Sequence, residues 1–407
     1  MKFLNHGAVF TFLCLLVIGV MFPSDGAHGL FSAKSLAFCG AVFSFAASLL
    51  FHPVLKPESQ RLMAFVLLSL LFLALWTLFG VESGALALDQ FKVFIITLGF
   101  LGMGAYYMHE GRLTFATLLK VVILANFSYS LLKITLGALQ ALQVINALAL
   151  MEKLGFRFMS MQIMGNLGRL QTSVDILTPF ILYFVLSSES WGLFLSRGFK
   201  RLFTFLAWIS IAFSFSRFLL ACALAAHVAF WFCESRKALF LSLFKASCLL
   251  FCLIPLIGPE RLYQVVERRF FSDESSRSDI IRKEQIEALV ESFYEAPYLG
   301  KGMGGFSKEV VRDPLLKYSY EVQWVAFLMQ FGILGLLTLL VPPLLLLTKI
   351  LLLPTSRLKA SLFALFCLWL ISGFTNPFLI SLASGILYTL FYGATLTLFA
   401  PTCRSSP

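Results

Sequence analysis

Apolar runs of about 20 residues, each closed by a short charged or Gly/Pro-containing stretch, recur along the whole chain. They lie near residues 5–22, 36–55, 62–81, 90–108, 114–137, 173–188, 201–215, 217–233, 239–257, 322–347, 359–379 and 383–400. A run of that length spans a hydrocarbon core as a helix, the state that satisfies every backbone polar group within one segment. The pattern predicts an all-α polytopic membrane protein with about twelve transmembrane helices. One run is too long for a single helix, and Ser214-Phe215-Ser216-Arg217 interrupts it as a tight turn at the membrane edge. The first run, Ala8 to Phe22 after Lys2, also has the form of a signal peptide, with Gly26-Ala27-His28-Gly29 as a poor cleavage region. A retained first span is preferred because the count of spans needs it.

The polar connections orient the bundle. If the N-terminus is cytoplasmic, the cytoplasmic connections hold Lys56 and Arg61, Arg112, Arg197 with Lys200 and Arg201, Arg236 with Lys237, and Lys349 with Arg357 and Lys359. The short external connection near Glu82 and Asp89 is acidic, and the one at Thr375-Asn376-Pro377 is uncharged. This asymmetry satisfies the positive-inside rule and predicts that both termini are cytoplasmic. Two longer connections fall outside, residues 138–172 and 258–321. The expected organisation is therefore nine helices over 1–257, a periplasmic loop with an amphipathic helix over 258–321, and three helices over 322–407.

Composition agrees with lipid as the solvent. Of 407 residues, 59% are hydrophobic and 13% charged, with a mean hydropathy of +0.87. A soluble domain of this size cannot hide so much apolar surface. The net charge of +11 sits mostly in short connections, where topology explains it better than nucleic acid does. Seven of the eight cysteines lie in or beside apolar runs and Cys403 is at the tail, which argues against a disulfide framework. The five histidines are scattered, which disfavours a metal site, and no cofactor is expected.

The chemistry concentrates in the long loop. Ile281 to Ala296 reads as a helix, with Ile286, Leu289, Val290 and Phe293 on one face, Ser278-Asp279 as a start and Pro297 as a stop. Arg282 continues the apolar stripe, so it points to the membrane surface or a buried anion, or else snorkels at the bilayer edge. Gly300-Lys301-Gly302-Met303-Gly304-Gly305 lacks the spacing of a Walker loop; it suits a backbone nest for phosphate, or a flexible turn. Glu321 falls at a membrane interface, where a carboxylate is costly unless solvated, paired or functional. Arg217 and Arg169 are further external-side arginines, and a guanidinium fork matches phosphate oxygens. Several arginines and one carboxylate in an outer-leaflet cavity would suit a diphosphate donor and a general base.

The stretch SSRSDIIRKEQIEALVESFYEAPYLGKGMGGF, followed by YSYEVQWVAFLMQFGILG, resembles the O-antigen ligase/polymerase family of bacterial inner-membrane glycosyltransferases. That resemblance includes an arginine opening a loop helix, a P-x-x-G-x-G-x-G-like turn, and a polar residue beginning a span that ends at Gly332 and Gly335. FSFSRFLLA around Arg217 is similar to a second family motif, a Ser-Arg pair opening a helix. The resemblance implies glycan transfer from an undecaprenyl-diphosphate-linked donor to a sugar hydroxyl at the periplasmic face. The acceptor would be a lipid-linked repeat unit (polymerase) or lipid A-core (ligase), and no metal would be needed. Arg217 and Arg282 are the first candidates for the diphosphate clamp, Arg169 and Arg277 the second, and Glu321 the candidate catalytic residue. The chain departs from the ligases, which carry His-Asn where it has Glu321-Val322, and no histidine follows His227. That variation mildly favours polymerase.

The rival reading is a lipid-linked oligosaccharide flippase or other transporter. Lys120, Lys133 and Lys245, each within an apolar run, support it. The absence of a convincing repeat between the two halves counts against it.

Overall fold

In a computed structural model, the described residues are 2–22, 33–51, 55–146, 149–150, 158–159, 162–164, 167–168, 170–234, 240 and 273–399. They form a helical bundle: α1 Lys2–Met21, α2 Ala33–Leu50, α3 Pro57–Phe79, α4 Ala85–His109, α5 Phe115–Ala141, α6 Leu177–Leu186, α7 Arg197–Ser214, α8 Arg217–Glu234, α9 Asp273–Tyr294, α10 Gln323–Leu352, α11 Arg357–Ile371 and α12 Leu382–Phe399. Among the described residues seven helices are long and apolar enough to cross a membrane, and His6–Met21, Lys34–Leu50 and Ser173–Leu186 are shorter apolar helices. The expected span at 239–257 lies outside the described residues.

Capping residues set several starts earlier than hydropathy does. Ser196 accepts the Phe199 N–H at 3.2 Å and Ser356 the Lys359 N–H at 3.1 Å, so α7 and α11 begin with basic turns that a hydropathy window discards. The α7 helix is two-faced. Phe203, Ala207, Ser210 and Ile211 are buried while Leu202 and Phe205 are exposed. The enclosed centre is α6, whose Phe180 to Val185 are all buried, with Phe180 edge-on to Trp369 and Phe391. Phe12 of α1 packs against Phe100 and Tyr107 of α4, which ties the first helix into the same core.

The connection between α5 and α6 departs from an all-helical chain. Phe158–Met159 (β1) pairs antiparallel with Gln171–Thr172 (β4), and Gln162–Met164 (β2) with Leu167–Gly168 (β3). Segments this short carry too little alternation to be read from sequence.

Helix alternation sorts the charges to two ends. Lys56, Arg61, Arg112, Arg197, Lys349 and Arg357 collect at one, where the Lys56 ammonium donates to the His109 carbonyl at 2.6 Å. Arg217, Arg282 and Glu321 collect at the other. The turn between α7 and α8 is as tight as expected, with Phe215 in the left-handed region at φ 46°.

The glycine run is neither a phosphate nest nor a loose turn. Its amides are consumed inside the fold. Lys301 N–H donates to the Met329 carbonyl at 3.0 Å, Gly302 N–H to Gln330 at 2.9 Å, Met303 N–H to Trp76 at 3.1 Å and Gly304 N–H to the Gln90 side chain at 2.6 Å. Within α10, Gly332 (φ 63°, ψ −173°) breaks the helix, and the Ile333 N–H freed there donates to the Pro297 carbonyl at 2.9 Å. Gln330 completes the clamp by donating to the Gly305 and Tyr318 carbonyls at 2.9 and 3.0 Å. The loop is thus plugged into a helix break, and this fixes both ends of the segment that carries Glu321.

Gly302 in that run has no room for a side chain. A Cβ on Gly302 (φ +83°) would lie 2.4 Å from Gly80 N, whereas one on Gly111 (φ +72°) would meet nothing within 4 Å. Both alanine variants incur about 1–2 kcal/mol of left-handed strain. Gly302→Ala adds a backbone clash and should lower the thermal midpoint in detergent well below that of Gly111→Ala. Equal midpoints would contradict the clamp.

Candidate functional site

The loop helix α9 starts at Asp273, eight residues before the expected Ile281, so Ser278 and Asp279 lie inside it. Asp279 therefore does not cap. One turn before Arg282, its carboxylate accepts from Arg282 Nη1 at 2.8 Å. The buried face of α9 differs from the one read: Ile286 is exposed while Gln285, Ala288 and Leu289 are buried, Leu289 against Tyr320, Val322, Ala326 and Met329 with Phe293 packed beside them.

That packing brings Arg282 to Glu321. Arg282 Nε donates to Glu321 Oε2 at 2.9 Å, and the Glu321 N–H donates to the Gln285 side chain at 3.0 Å. Arg282 thus ends in an ion pair. Arg217 Nη2 stands 4.0 Å from Asp279 Oδ1, so Asp279 links the guanidinium opening α8 to the one on α9. Glu321 and Arg282 are 20% and 25% exposed on their side chains, Arg217 34%. This is a half-buried centre open to one side. Arg277 lies in the first turns of α9, and Arg169 lies outside the described residues.

A third arginine joins that the sequence reading missed. Arg312 Nε stands 3.5 Å from Glu321 Oε1 and its side chain is 19% exposed. A turn folds it back onto Glu321. Asp313 accepts from Leu315 N–H at 2.9 Å and Leu316 N–H at 3.3 Å. Ser307 N–H donates to the Tyr320 hydroxyl at 2.9 Å, which donates to the Val310 carbonyl at 3.2 Å. Burial pushes the Tyr320 phenol up, so it stays a neutral donor. Asp313-Pro314 was the available signal, since such dipeptides start turns that reverse the chain.

Beside Glu321 lies a cavity of about 630 Å³, lined by Arg312, Tyr318 and Gln323 from the loop side, and by Lys34, Lys92 and Asn376 among its other polar residues. Phe38, Ile95, Ile96 and Phe378 give it apolar walls. The Gln323 amide oxygen accepts the Leu379 N–H at 2.7 Å, holding the α11–α12 connection at its rim. Cationic and apolar side chains lining one cavity suit an amphiphile with an anionic head.

A buried charge pair braces the neighbouring turn. Lys133 Nζ is 2.7 Å from Asp175 Oδ1, with 3% and 1% side-chain exposure. Asp175 also accepts from the Tyr129 hydroxyl at 3.0 Å and from Thr172 N–H at 2.8 Å. Lys133 Nζ reaches Ser214 Oγ at 3.3 Å, two residues before the turn ends at Ser216. The lysine thus has a structural partner, 42 residues away in sequence. Lys120 is exposed, and Lys245 lies outside the described residues.

The sequence profile described as O-Antigen ligase matches residues 202–340. The matched stretch covers α8, α9, the glycine run and Glu321, and so contains Arg217, Arg282 and Arg312. No curated protein matches the chain.

Proposed function

Starting from the match at residues 202–340, which supports assigning this chain to the O-antigen ligase/polymerase family, we propose that it is a membrane glycosyltransferase. It moves a glycan from undecaprenyl diphosphate to a sugar hydroxyl at the periplasmic face of the inner membrane. The observation that carries this reading is Glu321 held between Arg282 and Arg312, the latter lining the cavity.

The arginines have two states in this reading. Without substrate they neutralise Glu321 and Asp279. A lipid diphosphate competes for the same guanidinium forks, and engaging it frees the Glu321 carboxylate. The acceptor hydroxyl oxygen then bonds to the anomeric carbon and its proton passes to Glu321. The bond from that carbon to the diphosphate oxygen breaks, and the charge left on the diphosphate is met by Arg217, Arg282 and Arg312. Pre-placed guanidinium groups need no reorganisation as that charge develops. Arg312→Ala should raise the KM for donor at least about tenfold while folded yield stays normal, since a charge-assisted hydrogen bond contributes about 1.5–3 kcal/mol. An unchanged KM would remove Arg312 from the clamp.

A carboxylate at 321 in place of the ligase histidine favours a lipid-linked repeat unit as acceptor. Purified protein in liposomes, given lipid-linked donor and either a second lipid-linked unit or lipid A-core, tests both halves of this statement. New glycosidic bonds with the first acceptor alone are expected. Transfer to lipid A-core alone would make the chain a ligase. Movement of donor across the bilayer with no new bond would make it a flippase.

A further inference from the structure

A second groove opens on the lipid-facing side of the bundle and shares one lining residue, Ile380, with the cavity beside Glu321. It runs between α3 and α10, backed by α4 and α12, with a cavity of about 620 Å³. One turn beyond Leu73, its last α3 residue, the Trp76 indole N–H donates to the Phe331 carbonyl at 3.1 Å and the Leu299 carbonyl at 3.0 Å. Its walls are apolar along their length, with Phe65, Phe72, Leu98, Leu339 and Leu345 among them. Leu68 and Leu345 are 66% and 50% exposed, so the groove faces outward instead of being an internal void.

The lower end is different in kind. Arg61 and Lys349 line it from opposite walls, against one carboxylate, Glu58, among the described lining residues. Lys349 is held in place, with its ammonium donating to the Tyr392 hydroxyl at 3.0 Å and 4.4 Å from that ring's centroid. His109 Nε2 lies 2.7 Å from the same hydroxyl. Lysines that merely snorkel are not fixed by an aromatic hydroxyl and a ring face together.

Charge identifies the occupant. On α3 the lining runs from Glu58 to Leu73, about 22 Å at 1.5 Å per residue, more than half of a hydrocarbon core about 30 Å thick. Arg61 and Lys349 lie at the end of the bundle opposite Glu321, where the anionic headgroup of a lipid in the leaflet at that end would meet them. We propose that it binds an anionic phospholipid of the leaflet opposite the Glu321 site, with an acyl chain between α3 and α10 and the phosphate at Arg61 and Lys349. A lipid whose phosphate lies at Arg61 and Lys349 has its head at the end of the bundle away from Arg217, Arg282 and Glu321. Nothing in this inference depends on the glycosyltransferase reading.

The test is lipid retention by the full-length protein, purified from detergent after equilibration with phosphatidylglycerol, phosphatidylcholine or undecaprenyl phosphate, and read by native mass spectrometry. Wild type should retain phosphatidylglycerol over phosphatidylcholine. Arg61→Gln with Lys349→Gln should weaken phosphatidylglycerol retention roughly thirtyfold, roughly fivefold for each cation near the surface, and leave phosphatidylcholine unchanged. If that double variant does not fold, Ser69→Trp, which fills the groove away from the charges, should abolish retention of both phospholipids. Equal retention of the two phospholipids by wild type would overturn the proposal. So would retention indifferent to the variants, or undecaprenyl phosphate displacing phosphatidylglycerol at equal concentration.

Discussion

Glu321→Gln is expected to cut glycan transfer about 10²–10⁴-fold, the range a positioned general base contributes, while melting temperature and yield stay close to wild type. Glutamine keeps the length and one acceptor oxygen, so the Arg282 Nε bond at 2.9 Å can persist in weakened form. What it removes is the proton acceptor and the negative charge shared by Arg282 and Arg312. Those pairs are partly solvated, so breaking them costs stability only about 0–1 kcal/mol. The glycine clamp and the α9 apolar contacts hold the loop without them. If Glu321 served only to tie the loop down, activity would fall in proportion to a measurable loss of folded protein. Transfer rate and melting midpoint measured on one preparation separate the two.

The largest loss of stability is expected for Lys133→Met, about 3–5 kcal/mol. Asp175 is 1% exposed, and without the lysine its charge has the Tyr129 hydroxyl and Thr172 N–H for support but no cation among the contacts described. Lys133→Met combined with Asp175→Leu should recover most of the loss, because a buried pair replaced by apolar groups is often neutral. Thermal unfolding in detergent gives the comparison. A double variant no better than the single would mean that the network's hydrogen bonds, not its charges, hold this corner. The pair sits beside Ser214, so its loss also releases the turn from which Arg217 projects.

Helices were legible because lipid enforces a simple rule, one apolar stretch per crossing. The break at Phe215 was legible because a polar tetrapeptide inside an apolar run has few other uses. Starts at Arg197 and Arg357 were not, since serine caps and basic turns set them. Arg282, Arg217 and Glu321 could be named because each stands beside an apolar segment, where charge is conspicuous. Arg312 stands in a polar loop, where charge is ordinary, and only the Asp313 turn brings it back. The glycine run misled for a related reason. Left-handed glycines suit an anion nest and a buried backbone clamp equally, and the partners at Trp76, Gln90 and Gln330 are distant in sequence. Lys133 and Asp175 share that difficulty, for each alone looks like a stray charge.

Arg282 carries the central claim, because it joins the carboxylate to the proposed diphosphate. The measurement is a count of undecaprenyl diphosphate released per glycosidic bond formed by protein in liposomes with lipid-linked donor and acceptor. One released per bond by wild type, and release close to background in Arg282→Ala of unchanged melting temperature, is the predicted result. Release by that variant at the wild-type rate would contradict it.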